Sequence, residues 1–162
     1  DYHRIYGLRT IVMRQSCIYG YHQFGVEDQG WVAWFCIAAL LDKPITIYGD
    51  GKQVRDVLFI DDLVRAYEAA YEQRDTIAGK VLNIGGGPEN TLSLLELLSL
   101  LERFKGKKIP VDYGDWRPGD QKIFFCDISA AGSLLTWKPF VSPELGTERL
   151  YQWVDTNKRI FC

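Results

Sequence analysis

Two arginines in this chain stand where a guanidinium needs an anion. Arg55 lies in residues 53–60 (QVRDVLFI), an extended apolar run that follows a glycine-bounded turn at 49–51. Side chains alternate faces along a strand. Val54, Asp56, Leu58 and Ile60 therefore share one face, and Arg55, Val57 and Phe59 share the other. Arg55 and Asp56 are neighbours in sequence but not an ion pair. An unpaired buried charge is costly, so Arg55 requires a partner from elsewhere. A phosphate would serve, since a guanidinium meets it in a two-pronged geometry; so would a carboxylate of the chain itself. Arg117 precedes Pro118 and Gly119, with Asp120 just beyond. The turn fixes that loop while the arginine projects. Two arginines aimed at one cleft suit a diphosphate, with Asp120 placed to accept ribose hydroxyls; a solvated surface loop is the alternative.

Three further segments bear on a site. Ser16 and Cys17 follow the carboxyl end of an early strand, where open α/β sheets bind ligands. Cys17 has no His or Asp placed to activate it, which favours a wall over a nucleophile. Residues 83–90 (NIGGGPEN) are glycine-rich between a strand and a helix. They lack the G-x-G-x-x-G spacing and carry no following lysine, so a tight turn is expected rather than a phosphate cradle. Trp31, Trp34 and Phe35 fall near the start of an apolar helix, mostly core, with one at the helix start able to touch a ligand.

The elements that must position these residues alternate along the chain. Residues 1–7 read as the end of a helix closing at Gly7, followed by a strand at 8–14, a long loop at 15–30 and a buried helix at 31–43. Strands at 44–49 and 53–60 precede a helix that begins with Asp61 at its N-cap or first turn. A strand at 80–87 leads to a helix with Thr91 as N-cap and Gly106 as stop. A strand at 108–114, a short strand near 122–129, a short helix and a last helix capped by Ser142 with Pro143 at its first position complete the chain. This is an α/β arrangement.

The bulk numbers agree with a single packed domain: 162 residues, 47% hydrophobic and 25% charged. A net charge of −2 gives no nucleic-acid footprint, and the apolar runs are too short to span a bilayer. Cys17, Cys36, Cys126 and Cys162 lie far apart, without Cys-x-x-Cys or Cys/His spacing, and His3 and His22 are isolated. Free thiols of a cytoplasmic protein, and no metal site, are the expectation.

Taken together, residues 7–20 (GLRTIVMRQSCIYG), 49–67 (GDGKQVRDVLFIDDLVRAY), 81–97 (VLNIGGGPENTLSLLEL) and 116–139 (WRPGDQKIFFCDISAAGSLLTWKP) resemble, in order and spacing, the C-terminal half of the extended short-chain dehydrogenase/reductase family. These are the NAD-dependent nucleotide-sugar epimerases and dehydratases. Residues 27–36 (EDQGWVAWFC) resemble, within it, the branch of CDP-sugar 2-epimerases (CDP-tyvelose epimerases). The resemblance implies an α/β, Rossmann-type fold in which this chain holds the last sheet strands and the substrate-binding subdomain. It implies that Arg55 and Arg117 hold the substrate diphosphate and that Asp120 lies near the ribose. Thr46 and Tyr48 would border the base, Trp31 the diphosphate, and Leu92 a wall of the nucleotide pocket. Arg14, Ser16, Cys17 and Tyr19 would lie towards the nicotinamide of NAD and the sugar.

The sequence departs from the family in places. Cys17 stands where many relatives carry Asn, and Ile18 where many carry Pro. The family's glycine-rich dinucleotide fingerprint and its Tyr-x-x-x-Lys pair are not in these residues. Tyr48 and Lys52 have the spacing, but across a strand and turn rather than on a helix. The whole of 1–162 is therefore expected to be a C-terminal substrate-binding portion, with no catalytic residue of its own and with NAD belonging to a longer parent. Strand edges left unpaired by that arrangement invite self-association.

Overall fold

A computed structural model describes residues 1–161; Cys162 lies outside the described residues. The chain runs α1 (Tyr2–Tyr6), β1 (Val12–Gln15), β2 (Cys17–Tyr19), α2 (Trp31–Leu40), β3 (Ile45–Tyr48) and β4 (Val54–Phe59). It continues through α3 (Ile60–Glu72), β5 (Val81–Ile84), β6 (Thr91–Ser93), α4 (Leu94–Lys105) and β7 (Val111–Gly114). It closes with β8 (Ile123–Phe124), α5 (Ser129–Leu135) and α6 (Pro143–Thr156).

The strand that carries Arg55 is the hub. β4 pairs in parallel with β2, with Cys17 opposite Val57, and antiparallel with β6, with Arg55 opposite Leu92. Two residues of β8 also pair with it in parallel, Phe124 opposite Arg55. β1 pairs with β5 and β3 with β7, both in parallel. Between β1 and β2 the chain changes partners at Ser16. Its backbone N–H still reaches Ile84 of β5, and the next residue is already on the β4 ladder. The loop expected at 15–30 therefore begins later, because a long-range partner turns Cys17–Tyr19 into a strand.

Two cores result. Apolar α2, buried through Val32, Phe35, Cys36 and Ile37, packs with α4 and α6 against Val57, Phe59, Ile45 and Ile47. α3 and α5 cover β1 and β5 through Leu63, Ala66, Leu82, Ile84 and Trp137. Asp62, buried in the first turn of α3, accepts the backbone N–H groups of Phe140 and Val141 and pairs with Arg65, which ties the approach to α6 onto α3. Gly7 ends α1 at φ 66° and Gly106 ends α4 at φ 71°, both left-handed as expected of C-terminal glycines. Ser142 caps α6 through the Leu145 N–H, as its position ahead of Pro143 predicts.

One cap moves. Thr91 is taken up by β6, opposite Asp56, and α4 is capped instead by Ser93 in a reciprocal box with Glu96. The outer face of β1 and β5 stays open. Val12 and Val81, which are register partners, are both about half exposed. Tyr67 and Tyr71 of α3 are exposed as well, and the Tyr67 hydroxyl accepts from the Gln15 amide of β1 at 2.6 Å. Parallel strands are ordinarily covered on both faces.

Candidate functional site

A cleft of about 410 Å³ opens along β4 and collects side chains from across the chain. Alternation on β3 buries Ile45 and Ile47 and turns Thr46 and Tyr48 to the other face, into the cleft. Trp31 and Phe35 come from the first turns of α2, Ser16 and Cys17 from the fork between β1 and β2, and Arg117, Asp120 and Phe124 from the segment after β7. Pro118 and Gly119, the latter at φ 80°, form a turn closed by the Asp120 N–H on the Arg117 carbonyl at 3.1 Å. Proline followed by a positive-φ glycine is the signature of a type II turn.

The partner that Arg55 requires is Asp120. One guanidinium nitrogen donates to Asp120 Oδ1 at 2.7 Å, and the other terminal nitrogen donates to the Val54 carbonyl at 2.9 Å. Only two of the five N–H groups of a guanidinium are thereby engaged, and the side chain is about one-fifth exposed, on the cleft. Arg117 lies 3.9 Å above the Tyr48 ring and 3.0 Å from Asp28. The Tyr48 contact first, then the charge of Asp28, push its guanidinium above its ordinary value. Tyr48 itself donates to Glu27 at 2.9 Å. Each arginine therefore has a carboxylate of the chain beside it, and both face the same cavity.

The other face of β4 is closed. Asp56 is fully buried and accepts from the Ser16 hydroxyl at 2.5 Å, the Gly87 N–H at 3.2 Å and the Cys126 thiol at 3.1 Å. Burial and the Asp56 hydrogen bond push the Cys126 thiol up to about 12. Asp56 thus pins the fork, the glycine turn and the strand end before α5 to one point. The glycine turn is filled by its own chain. A Cβ at Gly86 would lie 2.4 Å from the Val57 carbonyl oxygen, and one at Gly85 2.4 Å from Cys126 Sγ. Its glycines serve close packing, not a phosphate.

Burial also raises the Cys17 thiol, and the Trp31 indole N–H donates to its sulfur at 3.1 Å. A neutral thiol with no base beside it is a wall. Among the described residues, no group of His, Cys, Asp and Glu could hold a metal ion. No helix among them is long and apolar enough to cross a membrane.

The structure brings Ser16, Cys17, Trp31, Thr46, Tyr48, Arg55, Arg117 and Asp120 to this one cleft and leaves three of the expected residues outside it. Tyr19, two residues beyond Cys17 on β2, is buried edge-on to Phe59 at 5.4 Å and lies under Gly146 of α6. Leu92 is buried in the core opposite Arg55 on the ladder, and Leu94 at the start of α4 lines the cleft in its place. Arg14 is exposed on β1, opposite Asn83 of β5. The cleft also contains residues that the sequence reading passed over, chiefly Gln53, Glu27 and Asp28. Gln53 had a signal: it lies two residues before Arg55, on the same side by alternation. Glu27 and Asp28 lie in a loop with no periodicity to place them.

Comparison with known proteins adds an independent line. Residues 1–85 match the NAD dependent epimerase/dehydratase family. The chain is 42% identical over 161 residues to CDP-paratose 2-epimerase of Salmonella typhi, covering 96% of this chain and 48% of that protein. It is 35% identical to UDP-glucuronate 4-epimerase of Thermodesulfobacterium geofontis, covering 96% of this chain and 46% of that protein. Among solved structures, UDP-glucuronic acid 4-epimerase from Bacillus cereus, in complex with UDP-glucuronic acid and NAD, superposes with a TM-score of 0.85 at 35% identity. That match covers 96% of this chain and 48% of that one. UDP-glucose 4-epimerase from Thermotoga maritima, with UDP-glucose, gives a TM-score of 0.86 at 32% identity, covering 97% and 49%. The chain thus spans about half the length of the relatives it matches.

Proposed function

The chain belongs to the NAD-dependent epimerase/dehydratase family, and from that premise we propose that it is the nucleotide-sugar-binding portion of a nucleoside-diphosphate-sugar epimerase acting on a CDP-sugar at C2. The observation that carries this reading is the convergence of Arg55 and Arg117 on one cleft. Both guanidiniums would hold the diphosphate, with Asp120 orienting Arg55 and lying towards the ribose. Thr46 and Tyr48 would border the base, Trp31 the diphosphate, and Ser16 and Cys17 the sugar and the nicotinamide edge. Arg14 stays a cofactor-side residue in this proposal through its exposed position on β1, while Tyr19 and Leu92 act only by packing beneath the site.

In the whole enzyme NAD would supply reversible hydride transfer at a sugar carbon, with Arg14, Ser16 and Cys17 of this chain lying towards its nicotinamide. The residues of this chain do not make a dinucleotide cradle, because the glycine turn at 85–87 is packed against its own chain. Their contribution is to bind and orient the nucleotide-sugar. The parent enzyme would use NAD and a nucleoside-diphosphate sugar and would reside in the cytoplasm. Self-association through the open face of β1 and α3 is part of it.

A non-catalytic nucleotide-sugar-binding module is the second reading. It is favoured by the gathering of both arginines, Tyr48 and the Ser16–Cys17 fork in one cleft within these residues. Titration of the chain with CDP separates the two: a module binds at micromolar concentration, whereas a portion of a larger enzyme binds far more weakly. In either case binding must fall in Arg55→Met. Turnover of a CDP-sugar with NAD by these 162 residues alone would overturn the first reading.

A further inference from the structure

Gln53 is buried, 7% exposed, and lines the cleft. Its amide nitrogen donates to the Tyr48 carbonyl at 2.8 Å. A carbonyl oxygen only accepts, so this bond fixes which end of the amide faces Tyr48. The other end, Oε1, is buried with no hydrogen-bond donor of the chain within reach. The other buried side-chain atoms in that condition among the described residues, Gln23 Oε1 and Trp34 Nε1, belong to residues that do not line the cleft. Buried polar atoms are ordinarily paired. A fixed, orphaned acceptor on a side chain that lines a ligand cleft is what a donor on the ligand would complete.

The ladder says which part of the ligand that is. Gln53 immediately precedes β4, Arg55 is two residues on, and Cys17 lies opposite Val57. From Gln53 to Val57 is about 13 Å of strand, with Arg55 midway. A nucleoside diphosphate sugar has the same order: nucleoside, diphosphate, sugar. With its diphosphate on Arg55, one end of the ligand falls at Gln53 and Tyr48 and the other at the Ser16–Cys17 fork. An acceptor-only group repels phosphate oxygens, which again leaves the nucleoside.

We propose that Gln53 Oε1 is a specificity-determining acceptor that takes the N–H of the exocyclic base amine or the O–H of the ribose 2′-hydroxyl from the nucleoside of the bound ligand. The inference rests on the function proposed above and goes beyond it by assigning the atom that selects the nucleoside.

The test is a nuclear magnetic resonance titration of the chain with CDP, with UDP, which lacks the exocyclic amine, and with 2′-deoxy-CDP, which lacks a ribose hydroxyl. The wild type should bind CDP about tenfold or more tightly than the analogue that lacks the donor, since a site built to pair a polar group rejects a ligand without it. Which analogue suffers identifies the donor as base amine or ribose hydroxyl. Gln53→Met, of similar length but without the acceptor, should bring CDP down to the level of that analogue. A merely structural role for Gln53 would weaken all three alike and leave the ratio standing, and that result overturns the proposal. So does a wild type that binds all three alike, a measurement that needs no variant to fold. Binding that is absent, or indifferent to Arg117→Gln, overturns the functional reading itself and the inference with it.

Discussion

Arg55 and Asp56 are adjacent in sequence and face opposite worlds. On one side of β4, Asp56 is fully buried and saturated by three donors from three separate segments. On the other, Arg55 is partly exposed, held by one carboxylate and one carbonyl, with donors to spare on a cleft. One strand thus carries a structural charge and a binding charge a single residue apart. What separates the two roles is the number of partners the fold supplies. A saturated group can only hold the fold together; a partly saturated one has capacity left for a ligand.

That contrast can be broken most forcefully at Asp56. Asp56→Leu keeps much of the volume but orphans the Gly87 N–H and the Ser16 hydroxyl, each at roughly 1–3 kcal/mol. A loss of about 3 kcal/mol or more in urea unfolding is expected, and a variant as stable as wild type would show that the pin is ornamental. Arg55→Met should do the reverse. Stability changes little, while calorimetry shows CDP affinity falling by about a hundredfold, as expected for lost charge-assisted bonds to phosphate. Arg117→Gln should cost less, about tenfold, because Arg117 is more exposed and screened.

Two smaller effects sharpen the picture. The raised Cys17 thiol should alkylate more slowly than a free cysteine near neutral pH. Its rate should climb only as the pH passes above the ordinary thiol range, because the thiolate is the reactive form. A CDP-sugar, whose sugar would fall at the Ser16–Cys17 fork, should protect it more than CDP, which lacks the sugar, as mass spectrometry of the labelled peptide would report. Asp28 competes with any phosphate for Arg117, so Asp28→Asn should bind CDP about two- to threefold more tightly; weaker binding would mean that Asp28 positions Arg117 rather than competing for it.

The division of β4 into two faces was legible before any coordinates, because strand alternation is a local rule. It separated Arg55 from Asp56 correctly and, carried one step back, would also have found Gln53. The identity of the partner was not legible: Asp120 lies 65 residues away in sequence, and the sequence left phosphate and carboxylate open. Long-range pairing explains the other differences. Cys17–Tyr19 looks like loop until β4 offers a ladder, and Thr91 looks like a cap until β6 claims it. Leu92 and Leu94 could each have walled the cleft; the ladder turned Leu92 into the core and left Leu94 at a helix start on the rim. The resemblance of whole motifs brought Arg117 and Tyr48 to the same site, where periodicity alone would have left them unrelated.

A crystal structure of the chain with CDP bound tests the central claim most directly. Phosphate oxygens should lie within hydrogen-bond distance of both the Arg55 and Arg117 guanidiniums, with the nucleoside directed towards Tyr48 and Gln53. A nucleotide seated outside this cleft, or one whose diphosphate touches neither arginine, would contradict the account.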